Sequence, residues 1–170
     1  MGVLASVGQR LPQNVSTYLN FGPLRQRGLE FSLQQQFNKE WSGYANYSYQ
    51  NTPKVLEASS DQIPYLLSEI SIPSANRFNA GLSYGGKRVF GNASVNYTSS
   101  AFWTDVLNPE YAGYTDAFSM VNATFGVKFN EGKIVTSVKG TNLTNETIQQ
   151  QIYGDLLKMA LTFEVRLFFK

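Results

Sequence analysis

The chain has 170 residues and 19.0 kDa, room for one domain or a piece of a larger one. A net charge of +2 without a basic cluster excludes a nucleic-acid footprint, and no apolar run is long enough for a transmembrane helix. With no Cys and no His, disulfides, thiolate and imidazole metal sites, thiol nucleophiles and the commonest general base are excluded together.

A hydrophobic content of 42% and a mean hydropathy of −0.24 would suit a soluble protein. They suit a membrane barrel equally, because lumen-facing residues dilute the lipid-facing ones. Met1-Gly2-Val3 opens the chain with no basic segment leading into an apolar core. An export leader is therefore expected to have been removed or to lie upstream in a longer precursor. Residues 1–14 read as an N-terminal extension, in which Gly2 to Arg10 is just long enough for an extra strand, and 15–170 carry the barrel strands.

The first predicted strand is long, Val15 to Phe37. Leu29, Phe31, Leu33 and Phe37 share one parity, broken only by Gln35; Glu30, Ser32, Gln34 and Gln36 share the other. A period of two sends such sets to opposite faces. Asn38-Lys39-Glu40 turns the chain into Trp41 to Gln50, with Trp41, Gly43, Ala45, Tyr47 and Tyr49 against Ser42, Asn46 and Ser48. A long loop, 51–75, precedes the third strand, where Phe78, Ala80, Leu82 and Tyr84 oppose Arg77, Asn79, Gly81 and Ser83. Gly85-Gly86-Lys87-Arg88 is a hairpin turn.

In the fourth strand Val89, Gly91, Ala93, Val95 and Tyr97 oppose Asn92, Ser94, Asn96 and Thr98. A second long loop covers 99–116. The fifth sets Val121, Ala123, Phe125, Val127 and Phe129 against Asn122, Thr124, Gly126 and Lys128, before a turn at Asn130-Glu131-Gly132. The sixth shows Ile134, Thr136 and Val138 against Ser137, Lys139 and Thr141, and a third long loop spans 142–156. In the last, Leu157, Met159, Leu161, Phe163, Val165, Leu167 and Phe169 oppose Lys158, Thr162, Glu164 and Arg166. At about 3.3 Å per residue and 45° tilt it rises roughly 30 Å, a bilayer core.

Connections thus alternate short and long, as in outer-membrane barrels with tight periplasmic turns and larger extracellular loops. Phe37, Trp41, Tyr84, Phe129 and Phe169 lie at the short-turn ends with the apolar parity and form the expected inner aromatic girdle, with Phe21, Tyr47, Tyr49 and Tyr97 opposite. Phe31, Leu82, Val95, Phe125, Val127, Leu161, Phe163 and Val165 are expected to face lipid. The predicted fold is an all-β, antiparallel up-and-down transmembrane barrel of seven or eight strands, or a segment of a larger one. The alternative is a soluble barrel carrying a lipophile, with the apolar face inward. Its wet face would carry more Lys and Glu than this polar face does.

Chemistry-bearing groups are sparse. Asn-x-Ser/Thr triplets recur, as at Asn92 and Asn122, because a face of Asn, Ser and Thr at period two generates them. Loop carboxylates at Glu57, Asp61, Glu69, Asp105, Glu110 and Asp116 lack calcium-loop spacing. Neither catalytic residues, a metal nor a cofactor is expected. Glu30, Arg77, Lys128, Lys139, Glu164 and Arg166 are the charged candidates for a lumen wall, either paired with one another or touching a solute. Arg25 and Arg27 have outward parity near the outer end, within reach of anionic headgroups.

Several motifs resemble the C-terminal barrel of TonB-dependent receptors: Arg27-Gly28-Leu29-Glu30 after Asn20-Phe21-Gly22, Arg77-Phe78-Asn79 through Ser83-Tyr84, and Tyr111 to Phe129. Val138 through Asn145 and the ending Val165-x-Leu167-x-Phe169 complete the order. The resemblance implies solute uptake, driven from the inner membrane through an N-terminal plug and housed in a barrel of roughly twenty-two strands. It implies outer-membrane lipid and the barrel-assembly machinery as partners, in a diderm outer membrane. Without plug or energy-coupling box, a seven-strand segment is not expected to transport alone. A small closed eight-stranded barrel with a structural or adhesive role is the rival.

Seven strands leave two open edges, to be satisfied by an eighth strand from Gly2 to Arg10, by other copies, or by further sequence. Small lumen residues (Ser42, Ser48, Gly81, Ser94, Gly126, Ser137) would underfill an eight-stranded barrel, which favours a wider assembly.

Overall fold

A computed structural model of the chain describes residues 23–56, 71–104 and 111–169. Its strands are β1 (Leu24–Arg25), β2 (Gly28–Gln36), β3 (Trp41–Gln50), β4 (Lys54–Val55), β5 (Asn76–Gly85), β6 (Val89–Thr98) and β7 (Ala101–Trp103). They continue with β8 (Gly113–Thr115), β9 (Phe118–Phe129), β10 (Ile134–Thr141), β11 (Ile148–Gln149), β12 (Leu156–Leu157) and β13 (Ala160–Leu167). The seven long strands make one antiparallel meander in the order β13-β10-β9-β6-β5-β3-β2. Each pairs with its neighbour along the chain, the up-and-down topology that the alternation predicts.

Short turns gather at one end and are built from backbone-mimicking polar groups. The Asn38 carboxamide oxygen accepts from the N–H groups of Glu40 (2.8 Å) and Trp41 (2.9 Å), closing the first turn. The Gly86 N–H donates to the Val89 carbonyl at 2.9 Å in the second. The third, a 3-10 turn over Asn130–Gly132, holds Asn130, Glu131 and Gly132 at φ of 51°, 56° and 87°. Asn and Gly tolerate that left-handed backbone best.

At the other end the three loops carry small ladders of their own. β1 pairs with β4, β7 with β8, and β11 with β12, so 51–75, 99–116 and 142–156 are not purely irregular as expected. The first predicted strand is divided: β1 and β2 are separated by Gln26–Arg27, while Val15 to Gly22 lie outside the described residues, as does Gly2 to Arg10. The last is interrupted too. Lys158 and Met159 fall between β12 and β13, where the Met159 N–H leaves the ladder for the Asn145 carboxamide oxygen at 3.2 Å. Phe169 extends past β13 and is 91% exposed.

Asn142 explains why the chain turns where β10 ends. It adopts φ 51° and is 2% exposed. Its Nδ2 donates to the Glu146 carbonyl (2.8 Å), its N–H donates to Asn122 Oδ1 (3.1 Å), and its Oδ1 accepts from the Thr144 hydroxyl (3.2 Å). Asn145, at φ 54°, returns its N–H to the Asn142 carbonyl at 2.8 Å. Asn142→Ala removes the buried carboxamide that joins Thr144 to Glu146, at a left-handed backbone that alanine disfavours, and should cost about 1–3 kcal/mol. Asn142→Gly keeps the left-handed backbone and isolates the amide's share. Urea unfolding in detergent micelles measures both, and equal stability of all three chains would refute this role.

No second layer covers the meander among the described residues, and the buried apolar residues there are Ala101 and Ile148, both in the loop-end ladders. Domains ordinarily bury a sheet face against another layer. This sheet leaves both faces uncovered.

Candidate solute and lipid faces

The register sorts the side chains of the meander into rows. On one face run Glu30–Ser48–Arg77–Thr98, Ser32–Asn46–Asn79–Asn96, and Gln36–Ser42–Ser83–Asn92–Thr124–Lys139–Thr162. It is mainly a surface of amides and hydroxyls, interrupted by Tyr44, Phe90, Phe118, Met120 and Val135 and tied across strands by bonds such as Ser32 Oγ to Asn46 Oδ1 at 2.7 Å. All six predicted wall charges belong to this face.

They do not converge. Glu164 and Arg166, two residues apart on β13, form a bidentate ion pair, Nε to Oε1 at 2.6 Å and NH2 to Oε2 at 3.1 Å. Lys128 Nζ donates to the Gly86 carbonyl at 3.3 Å and stands 5.6 Å from the Phe90 ring centre. Glu30 and Arg77 share a row with Ser48 between them, so about two strand spacings, roughly 10 Å, separate their backbones. Lys139 sits between Thr124 and Thr162. This spread offers no nucleophile–base geometry, and among the described residues no acidic cluster is fit for a metal.

Three aromatics on this face escaped the alternation: Phe118, paired with Thr98 at the loop end, and two that are paired with glycines. Tyr44 is paired directly with Gly81, and Phe90 with Gly126. Their rings lie where the glycine side chains would be: a Cβ on Gly81 would meet Tyr44 Cε1 at 2.6 Å, and one on Gly126 would meet Phe90 Cζ at 2.2 Å. An aromatic laid over a cross-strand glycine packs without a partner layer. Gly81 and Gly126 are therefore covered positions, and they no longer count toward an underfilled lumen. An aromatic at polar parity beside a glycine on the next strand is the signal that would have found them.

The opposite face is mainly apolar, broken by Gln35, Asn76, Ser119 and Thr136. Its rows include Phe31–Tyr47–Phe78–Tyr97, Leu33–Ala45–Ala80–Val95–Val121 and Leu82–Ala93–Ala123–Gly140–Leu161. Trp41–Tyr84–Gly91–Phe125–Val138–Phe163 and Val89–Val127–Thr136–Val165 complete it. The register puts Phe31, Leu82, Val95, Phe125, Val127, Leu161, Phe163 and Val165 all on this face. At the short-turn end the Trp41 and Tyr84 rings lie 4.9 Å apart, and the Phe37 ring covers Gly43. Phe129 is half exposed at the same end; Phe21 lies outside the described residues, as do Glu57, Asp61, Glu69, Asp105 and Glu110.

The family model for the TonB dependent receptor-like β-barrel matches residues 3–145. The chain belongs to this family. No curated protein and no solved structure matches it. As a TonB-dependent receptor-like barrel chain it is an outer-membrane, transporter-type β-barrel segment, in a family of transporters rather than enzymes. The soluble carrier with its apolar face inward does not fit that family. The match includes the Asn142 corner and ends before β13, which joins the receptor-like sheet through its continuous pairing with β10, Ile134↔Leu167 to Thr141↔Ala160.

Proposed function

We propose that this chain is part of the wall of a solute-uptake barrel in the outer membrane of a diderm bacterium. Its amide-and-hydroxyl face lines the passage, its apolar face meets acyl chains, and its long-loop end is extracellular. The observation that carries this reading is the single-layer sheet itself, uncovered on both faces, one apolar and one polar. In water the apolar face would be an exposed patch far larger than soluble monomers carry. In a bilayer it is the ordinary outer surface of a barrel. The wall alone supplies neither plug nor energy coupling, so uptake requires parts beyond this sheet. The aromatic ending at Phe169 and the girdle of Phe37, Trp41, Tyr84 and Phe129 suit insertion by the barrel-assembly machinery.

Single cysteines along β9 test the assignment, since the natural chain has none to interfere. In proteoliposomes, cysteines at Asn122, Thr124 and Lys128 should react with a water-soluble maleimide. Those at Ala123, Phe125 and Val127 should resist it and be reached by a lipid-soluble reagent instead. Uniform labelling along the strand, or the opposite alternation, would overturn the reading.

A further inference from the structure

Where the first hairpin rises beyond the meander, it carries three cations, Arg25, Arg27 and Lys54. β1 and β4 pair with Arg25 directly opposite Lys54. Like charges facing each other across a ladder weaken the pairing. Among the described residues ion pairing is confined to Glu164 and Arg166, so neither cation has an acidic partner there. Yet this part of the hairpin is well tied. The Asn51 N–H donates to the Arg27 carbonyl at 2.9 Å, the Arg27 N–H to Asn51 Oδ1 at 2.6 Å, and the Leu56 N–H to the Pro23 carbonyl at 3.1 Å. Between Arg25↔Lys54 and Gly28↔Gln50, residues 51–53 oppose only 26–27, a bulge that accommodates Pro53.

The location matters as much as the charge. Arg25, Arg27, Leu29, Phe31 and Leu33 share one parity, and the last three lie on the apolar face, each more than half exposed. Arg27 is two residues beyond Leu29 and Arg25 four, about 7 and 13 Å along the strand. With barrel tilt this places them roughly 5–9 Å above the hydrocarbon edge, the depth of the headgroup layer. An exposed basic trio above a continuous apolar strip complements a molecule with anionic groups on top and acyl chains beneath. A free inorganic anion would use only the upper part.

We propose that Arg25, Arg27 and Lys54 bind the phosphate groups of an acylated outer-leaflet lipid whose chains lie against Leu29, Phe31 and Leu33. The bound phosphate relieves the repulsion between Arg25 and Lys54. This rests on the orientation given under the proposed function, and the test separates the two.

The purified protein, in detergent, is titrated with bis-phosphorylated lipid A and with its dephosphorylated form. Each cation near an anionic membrane surface is worth about fivefold in affinity, so the R25S/R27S/K54S variant should bind the phosphorylated lipid about a hundredfold more weakly. Both proteins should bind the dephosphorylated lipid alike, and millimolar inorganic phosphate should not displace the bound lipid. Undiminished binding by the triple variant would overturn the proposal, as would displacement by inorganic phosphate alone, the mark of a free-anion site. Orientation is read independently in intact cells from Tyr114→Cys, at a position 74% exposed on β8 at the long-loop end and outside the phosphate site, whose new thiol should react with a membrane-impermeant maleimide. Protection of that thiol would refute the orientation, while the titration still judges the phosphate site.

Discussion

Arginine in place of Phe163 should cost about 2–4 kcal/mol of stability in a phospholipid bilayer, while arginine in place of Thr162 should cost less than about 1 kcal/mol. Phe163 lies mid-way along β13, 68% exposed, in the apolar row through Val138 and Phe125. A cation there must enter hydrocarbon or drag water with it. Thr162 is one residue away on the polar face, directly opposite Lys139. The only penalty there is repulsion between like charges in a wet environment. Urea unfolding from bilayers measures both variants, and a reversed ranking would exchange the two faces.

The folded chain should not behave as a closed seven-stranded monomer. β2 and β13 end the meander, so each leaves one side of its backbone unpaired among the described residues. Every unpaired group in hydrocarbon costs several kcal/mol, and a domain's whole stability is about 5–15 kcal/mol. Even a few such groups outweigh it. Copies, further strands, or residues 2–10 must supply the missing bonds. The small residues Ser42, Ser48, Ser94 and Ser137 still favour a wide assembly, although rings cover Gly81 and Gly126. Unless residues 2–10 close the sheet or the chain belongs to a longer polypeptide, the mass of the folded species in detergent should exceed that of one 19.0 kDa chain. A protease-resistant monomer of this chain that survives deletion of its first ten residues would refute the claim.

Much of this architecture is legible in period-two patterning, and the reasons it fails elsewhere are local. Trp41–Gln50, Val89–Thr98 and Ile134–Thr141 end where turn residues interrupt the alternation, and the strands end there too. β7, β8, β11 and β12 are two or three residues long, too short for any period to show. The break at Lys158–Met159 is hidden because it preserves parity: alternation runs straight through while Asn145 diverts the backbone. On the polar face, charge and parity locate the wall residues, and a spacing of two suffices to pair Glu164 with Arg166. Tyr44 and Phe90 are lost to the binary sorting itself, which assigns aromatics to the apolar side. What places them is a cross-strand glycine, a relation between strands that a single strand's pattern does not contain.

Those two rings set the relief of the polar face. Tyr44 and Phe90 recline over Gly81 and Gly126 instead of standing away from the sheet, so the height of this face is governed by the positions that look empty. A single methyl at either glycine would lift the ring that covers it away from the sheet, with no bulky residue introduced. If this face guides a solute, its tolerance for size is set by two hydrogen atoms. Those glycines, more than the polar side chains around them, are the positions through which the calibre of such a wall would be retuned.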